Sequence, residues 1–271
     1  MNLLLVEMCR AMKRRVVRVM ILLALIACVF AGVIAFTSST GKTVAQLHVR
    51  NHLHPAILRD WWVAERSDGA ALIASLFLLL GGMFTGAAVA GAEWRAGTIT
   101  TVLTWEPRRV RLNLTRTAAC AIVAFVVAVG LQVIFLASFL PAVLANGTTA
   151  GVDADWWQSL AWVVARAALL TSLAATLAIA LATLGRNTAF ALAVVFAWMA
   201  VIENLIRGLR PGWAAYLWGE NLGTVVPWQQ MRGVEFVRSP LLALSTILLY
   251  TMVLLGIATL GFARRDVAGS T

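Results

Sequence analysis

The chain has 271 residues, 61% of them hydrophobic and 13% charged, with a formal net charge of +10 and a mean hydropathy of +0.86. Soluble domains carry roughly 45 to 50% apolar residues, so this composition excludes a water-soluble core, and charges gathered between apolar stretches fit a chain solvated by hydrocarbon. The basic excess would suit nucleic acid only on a folded soluble surface, which such a chain does not offer; no nucleic-acid partner is expected.

Residues 1–18 place Leu3, Leu4 and Leu5 ahead of Arg10, Lys13, Arg14, Arg15 and Arg18, the pattern of an amphipathic helix on a membrane surface. An apolar run over 19–36 predicts the first span. Leu25-Ile26-Ala27-Cys28 matches a lipoprotein processing site, but Val29 to Phe36 stay apolar where a processed lipoprotein turns polar, so the span is expected to be retained. An external segment, 37–69, follows. At its start Phe36 stands where a phosphate-binding loop has its first glycine, so Gly41-Lys42-Thr43 is not read as a nucleotide site. His48, His52 and His54 are all the histidines of the chain and lack the cysteine or acidic partner that completes a metal site. No metal and no cofactor are expected in this chain, and Cys9, Cys28 and Cys120 form no disulfide framework.

The second span is predicted over 70–92. Gly82, Gly86 and Gly91 on it mark a face for close helix packing, either within one subunit or against a second one. Beyond it, Gly97 and Thr98 suit a break and an N-cap. Ile99, Val102 and Leu103 then share one helical face, and Pro107 ends that short helix. Arg108, Arg109, Arg111 and Arg116 lead into a third span over 117–140, with an external segment at 141–155 after it. The fourth span, 156–184, carries Arg166. Gly185-Arg186-Asn187 reads as a tight turn into a fifth span over 188–206, which bears Glu203 near its end. External residues 207–240 precede the sixth span at 241–262.

With both termini in the cytoplasm, this map puts 13 basic and four acidic residues inside against eight basic and, with Glu203 at the outer end of the fifth span included, eight acidic residues toward the outside, the asymmetry that basic side chains impose on topology. Trp61, Trp62, Trp156, Trp157, Trp213, Trp218 and Trp228 fall outside and Trp94 and Trp105 inside, as interfacial anchors. Arg166 and Glu203 are the charged residues placed within spans; either they line a polar cavity and pair with each other, or Arg166 snorkels outward to the membrane surface. The spans hold no His and no Asp, so no catalytic constellation is expected and the chain is read as no enzyme.

The stretch Glu93-x-x-x-Gly97-Thr98, its apolar turn, and Thr104-x-Glu106-Pro107-Arg108-Arg109 resemble the permease subunits of ABC-2 type transporters. The resemblance implies an all-α polytopic protein of the cell membrane, with six transmembrane helices, a cytoplasmic N-terminal amphipathic helix and a coupling helix between spans 2 and 3. It implies that Glu93, Arg95, Gly97 and Thr98 couple to the ATPase, with Glu106, Pro107, Arg108 and Arg109 at the end of the coupling element. It further implies two separate ABC ATPase subunits per complex, which bind the ATP and Mg, and a second permease subunit, identical or paralogous, so that substrate is exported through the bilayer between them. The rival readings are an ion-coupled secondary transporter working through Arg166 and Glu203, and a non-transporting sensor or immunity scaffold of the same fold.

Overall fold

A computed structural model describes residues 3–47, 53–66, 68–98, 104, 108–232 and 237–264. The helices are α1 (Leu3–Lys13), α2 (Arg15–Ser39), the single turn α3 (Val44–Leu47), α4 (Ala70–Arg95), α5 (Arg109–Ala137), α6 (Leu140–Asn146), α7 (Ala154–Gly185), α8 (Thr188–Ala197), α9 (Glu203–Leu209), α10 (Trp218–Val225) and α11 (Pro240–Arg264). Six helical stretches are long and apolar enough to cross a bilayer: α2, α4, α5 continued by α6, α7, α8 continued by α9, and α11. The chain is an all-α multi-pass membrane protein.

The bundle is built around α7, whose most apolar window is 78% buried, whereas those of α2 and α8–α9 are 17% buried and face outward. Small side chains permit this centrality, because Ala167, Ala168, Ala174, Ala175 and Ala178 of α7 are fully buried and let neighbouring backbones approach. Helix α4 takes the closest place. A methyl group on Gly82 would lie 2.7 Å from the Thr171 carbonyl oxygen, and one on Gly86 would run into that of Ala175. The glycine face therefore packs within the subunit, against α7, and Gly91 continues it against Thr188 at the start of α8.

The helices begin and end beyond the apolar runs. Arg14 adopts an extended conformation (φ −62°, ψ 131°) that separates α1 from α2, so Arg15 and Arg18 belong to the first span and not to the surface helix. The third span starts at Arg109, a full two turns before Thr117, and continues after Ser138 and Phe139 as α6. Arg186 (φ 53°) and Asn187 make the tight α7–α8 turn, with the Asn187 side chain accepting from the Ala189 N–H at 2.8 Å.

One end of the bundle, here the foot, gathers α1, the end of α4, the start of α5, the α7–α8 turn and the end of α11. Arg186 lies 4.9 Å over the Trp94 ring, which meets Phe262 edge-on at 6.1 Å. The other end is a folded cap. Ile57 bridges Thr148, the Trp62 indole donates to Ser159 Oγ (2.8 Å), and the Trp156 indole donates to the Trp62 carbonyl (2.9 Å). Trp61, Trp62 and Trp218 are buried there. They are core residues of the cap and not interfacial anchors, while Trp157 and Trp213 are exposed. A two-residue hairpin, β1 (Met231–Arg232) with β2 (Val237–Arg238), completes the cap beside α10.

Candidate functional site

The foot holds a cluster of buried charge. Glu93 sits in the last turn of α4, where the helix dipole disfavours an anion, and only 4% of it is exposed. A buried carboxylate in that position requires cations. Arg116 of α5 donates to Glu93 Oε2 at 2.5 Å, Arg14 at the α1–α2 break donates to Oε1, and Arg10 of α1 stands 3.8 Å away. Arg10 also pairs with the buried Glu7 at 2.6 Å. Arg116 is itself buried, and its Nη2 donates to Asn113 Oδ1 (3.0 Å), while the Asn113 amide donates to Thr259 Oγ1 of α11 (2.9 Å). A continuous polar chain thus joins the surface helix, the second and third spans and the sixth.

Arg95 is exposed at the end of α4, with Nη2 3.4 Å from Thr188 Oγ1. Gly97 (φ 64°) and Thr98 form the exposed turn that leaves α4, a conformation that suits glycine. Arg108 is exposed at the cap of α5 and Arg109 begins that helix. Glu106, Pro107 and the apolar stripe of Ile99, Val102 and Leu103 lie outside the described residues, as do Trp105, His48 and His52. Of the residues singled out from the sequence, Glu93 thus faces inward, while Arg95, Gly97, Thr98 and Arg108 face outward around it.

Glu7, Arg14, Arg116, Asn113 and Thr259 were not singled out as site residues from the sequence. Their signal is charge balance: Glu93 and Glu7 are acids set among the arginines of the foot, and each draws arginines that would otherwise be read as topology signals. Asn113 lies one helical turn before Arg116, on the same face.

The two ionisable residues in the spans do not meet as a pair. Arg166 stacks over the Trp228 ring at 5.6 Å, and its Nε has no hydrogen-bond partner among the described residues. Glu203 is buried where a π turn, Trp198–Ile202, interrupts the fifth span. The extra residue of that turn re-aims the side chain. Glu203 Oε1 accepts from the Trp198 indole and from the Gly219 N–H, both at 3.1 Å, and Oε2 lies 3.2 Å from the same N–H. The carboxylate therefore caps the first turn of α10, where an anion is favoured.

His54 belongs to the cap. Its Nδ1 accepts from the Ala56 N–H (3.1 Å), its Nε2 is 3.2 Å from Ser38 Oγ, and Asp60 accepts from its backbone N–H and not from the ring. No group of three or more His, Cys, Asp or Glu side chains converges to hold a metal among the described residues.

Compared with known proteins, the chain matches no family model and no curated sequence.

Proposed function

We propose that the chain is the membrane subunit of an ATP-driven exporter of the ABC-2 type, with ATP and Mg bound by two copies of a separate ATPase. The Glu93 cluster carries this reading. It ties the amphipathic helix α1 to the end of α4 and the start of α5, between which residues 96–108 form the segment read as a coupling helix. A push on that segment reaches three helices through buried ion pairs that tolerate little slack, and the Asn113–Thr259 bond extends it to α11. The exposed Arg95, Thr98 and Arg108 flank residues 99–107 in the sequence and are suited to face a partner. In this scheme the subunit performs no chemistry; it opens and closes a path between itself and a second permease subunit as the ATPases cycle.

Crosslinking at one site tests the reading. With Cys9→Ser removing the exposed native thiol, a photoreactive reagent on Thr98→Cys is expected to capture an ABC ATPase. The same reagent on Thr149→Cys, at the opposite end, is expected to capture none. Capture from Thr149 or from neither site contradicts the reading.

A second reading, proton-coupled transport, is supported by one observation: among the described residues, the buried Glu203 carboxylate of the fifth span is held by neutral donors alone. An intramembrane carboxyl without a cation partner is the kind of group on which ion-coupled carriers depend.

A further inference from the structure

Helix α2 is fastened at both ends and stands away from the bundle between them. At the foot its first turn follows Arg14, which is bound to Glu93. At the cap end Gly32 packs so closely on α5–α6 that an added methyl would lie 2.5 Å from the Ser138 carbonyl oxygen, and Ser39 Oγ accepts from the Asn146 amide at 3.1 Å. Between these anchors a crevice of about 580 Å³ runs between α2, α4 and α5, with Thr171 of α7 at its back. Small residues keep it open, among them Ala24, Ala27, Ala31, Gly81, Ala124 and Ala128. The volume lies within the range of roughly 300 to 1,000 Å³ typical of small-molecule sites.

The lining contains no charged side chain but includes Gln132, which is fully buried. Its amide orientation follows from its neighbours. The Ala71 carbonyl only accepts, so the side-chain nitrogen donates to it (3.1 Å) and to Ser75 Oγ (3.3 Å), while the Ser75 hydroxyl proton is committed to the same carbonyl (2.7 Å). Gln132 Oε1 is left without a partner among the described residues. An unpartnered carbonyl in hydrocarbon is costly, and it lowers its free energy by accepting one hydrogen bond. Because Ala71 begins α4, that acceptor lies toward the capped end of the crevice.

We infer that this crevice is a binding site for a neutral, chain-like lipophile that enters from the bilayer and, by shifting aside the side chains that cover Gln132 Oε1, donates one hydrogen bond to that atom from a hydroxyl or N–H. Charge is excluded because no counter-charge lines the site. A bare acyl chain would fill the volume but leave Oε1 unpaired. The site belongs to this chain alone and stands whether or not an ATPase couples to it.

The test uses the full chain in nanodiscs and a matched pair of photoreactive probes, a diazirine-bearing C16 alcohol and its methyl ether, with labelled peptides mapped. The alcohol is expected to label α2, α4 and α5 about threefold to tenfold more than the ether, the factor that one neutral hydrogen bond supplies. Gln132→Leu is expected to abolish the preference while leaving ether labelling in place. Ala24→Phe fills the crevice without touching Gln132 and is expected to reduce labelling by both probes, which keeps the proposal falsifiable if Gln132→Leu fails to fold. Equal labelling by the two probes, as for an ordinary bilayer acyl chain, would overturn it. So would a preference that survives Gln132→Leu, or label absent from these helices because bilayer lipid or a second copy of the chain fills the crevice.

Discussion

The Glu93 carboxylate and the Arg116 guanidinium, 23 residues apart in sequence, meet at 2.5 Å with both side chains almost wholly removed from solvent. Each justifies the burial of the other, and Arg14, 79 residues before Glu93, closes the other side of the carboxylate.

Removing Glu93 strands two arginines, one of them buried. Glu93→Ala is expected to lower stability by about 3 to 5 kcal/mol, the cost of breaking a buried ion pair from one side. Paired removal in Glu93→Leu, Arg116→Leu is expected to regain part of it. Thermal unfolding of the detergent-purified protein measures both; equal stability of Glu93→Ala and the unaltered protein would show that the cluster holds nothing.

Close packing of α4 on α7 gives a second contrast. Gly86→Ala drives a methyl into the Ala175 backbone and is expected to cost about 1 to 3 kcal/mol. Gly130→Ala, with nothing within 4 Å of the added carbon, is expected to be neutral or to gain up to about 1 kcal/mol from helix propensity. The same unfolding assay compares them.

Glu203 is open to a test that separates a cap from a proton carrier. Gln in its place keeps an acceptor for Gly219 and Trp198, so Glu203→Gln is expected to preserve hydrogen-exchange protection over 218–225, whereas Glu203→Leu loses it, at about 1 to 2 kcal/mol for a lost cap. Transport abolished in the intact Glu203→Gln protein would favour the proton-coupled reading, and transport retained would leave the residue a structural cap.

At the cap, burial chiefly, and then the nearby Lys42 charge, push the His54 pKa below its ordinary value, with Asp60 opposing weakly. The sign follows directly. The unfolded chain binds the proton more readily, so the contribution of neutral His54 is fully present above pH about 6.5 and is lost as pH falls through the lower folded value. Protection factors over residues 53–66, corrected for the slower intrinsic exchange at low pH, are expected to fall on acidification below that point, and the step is expected to vanish in His54→Gln.

Much of the architecture was legible because hydrocarbon imposes a simple code: runs of apolar residues pointed to six helices long and apolar enough to cross a bilayer, and Gly185-Arg186-Asn187 marked the turn between the fourth and fifth. Helix ends were less so, since α5 extends as a helix through Arg109 and Arg111 beyond its apolar stretch. The Glu93 cluster was legible only as isolated charges. Its partners come from α1 and α5, and no periodicity in one helix reveals which residue of another it will face. Likewise Trp61 and Trp62 carry the composition of interfacial anchors, and only the folding of residues 53–66 against Thr148 and Ser159 buries them. The glycine face of α4 was visible as a packing surface, but its partner, α7, was a property of the assembled bundle.

Copurification bears most directly on the proposal that this membrane protein is moved from its foot by a separate ATPase. The chain is coexpressed with a candidate ABC ATPase, and pull-down and ATP turnover are compared for the unaltered protein and for Arg95→Glu, Arg108→Glu, two exposed positions outside the buried cluster. Association and turnover with the unaltered chain, both lost in a variant that still unfolds at the normal temperature, is the predicted result. A folded chain that associates with no ATPase under any condition would contradict the account.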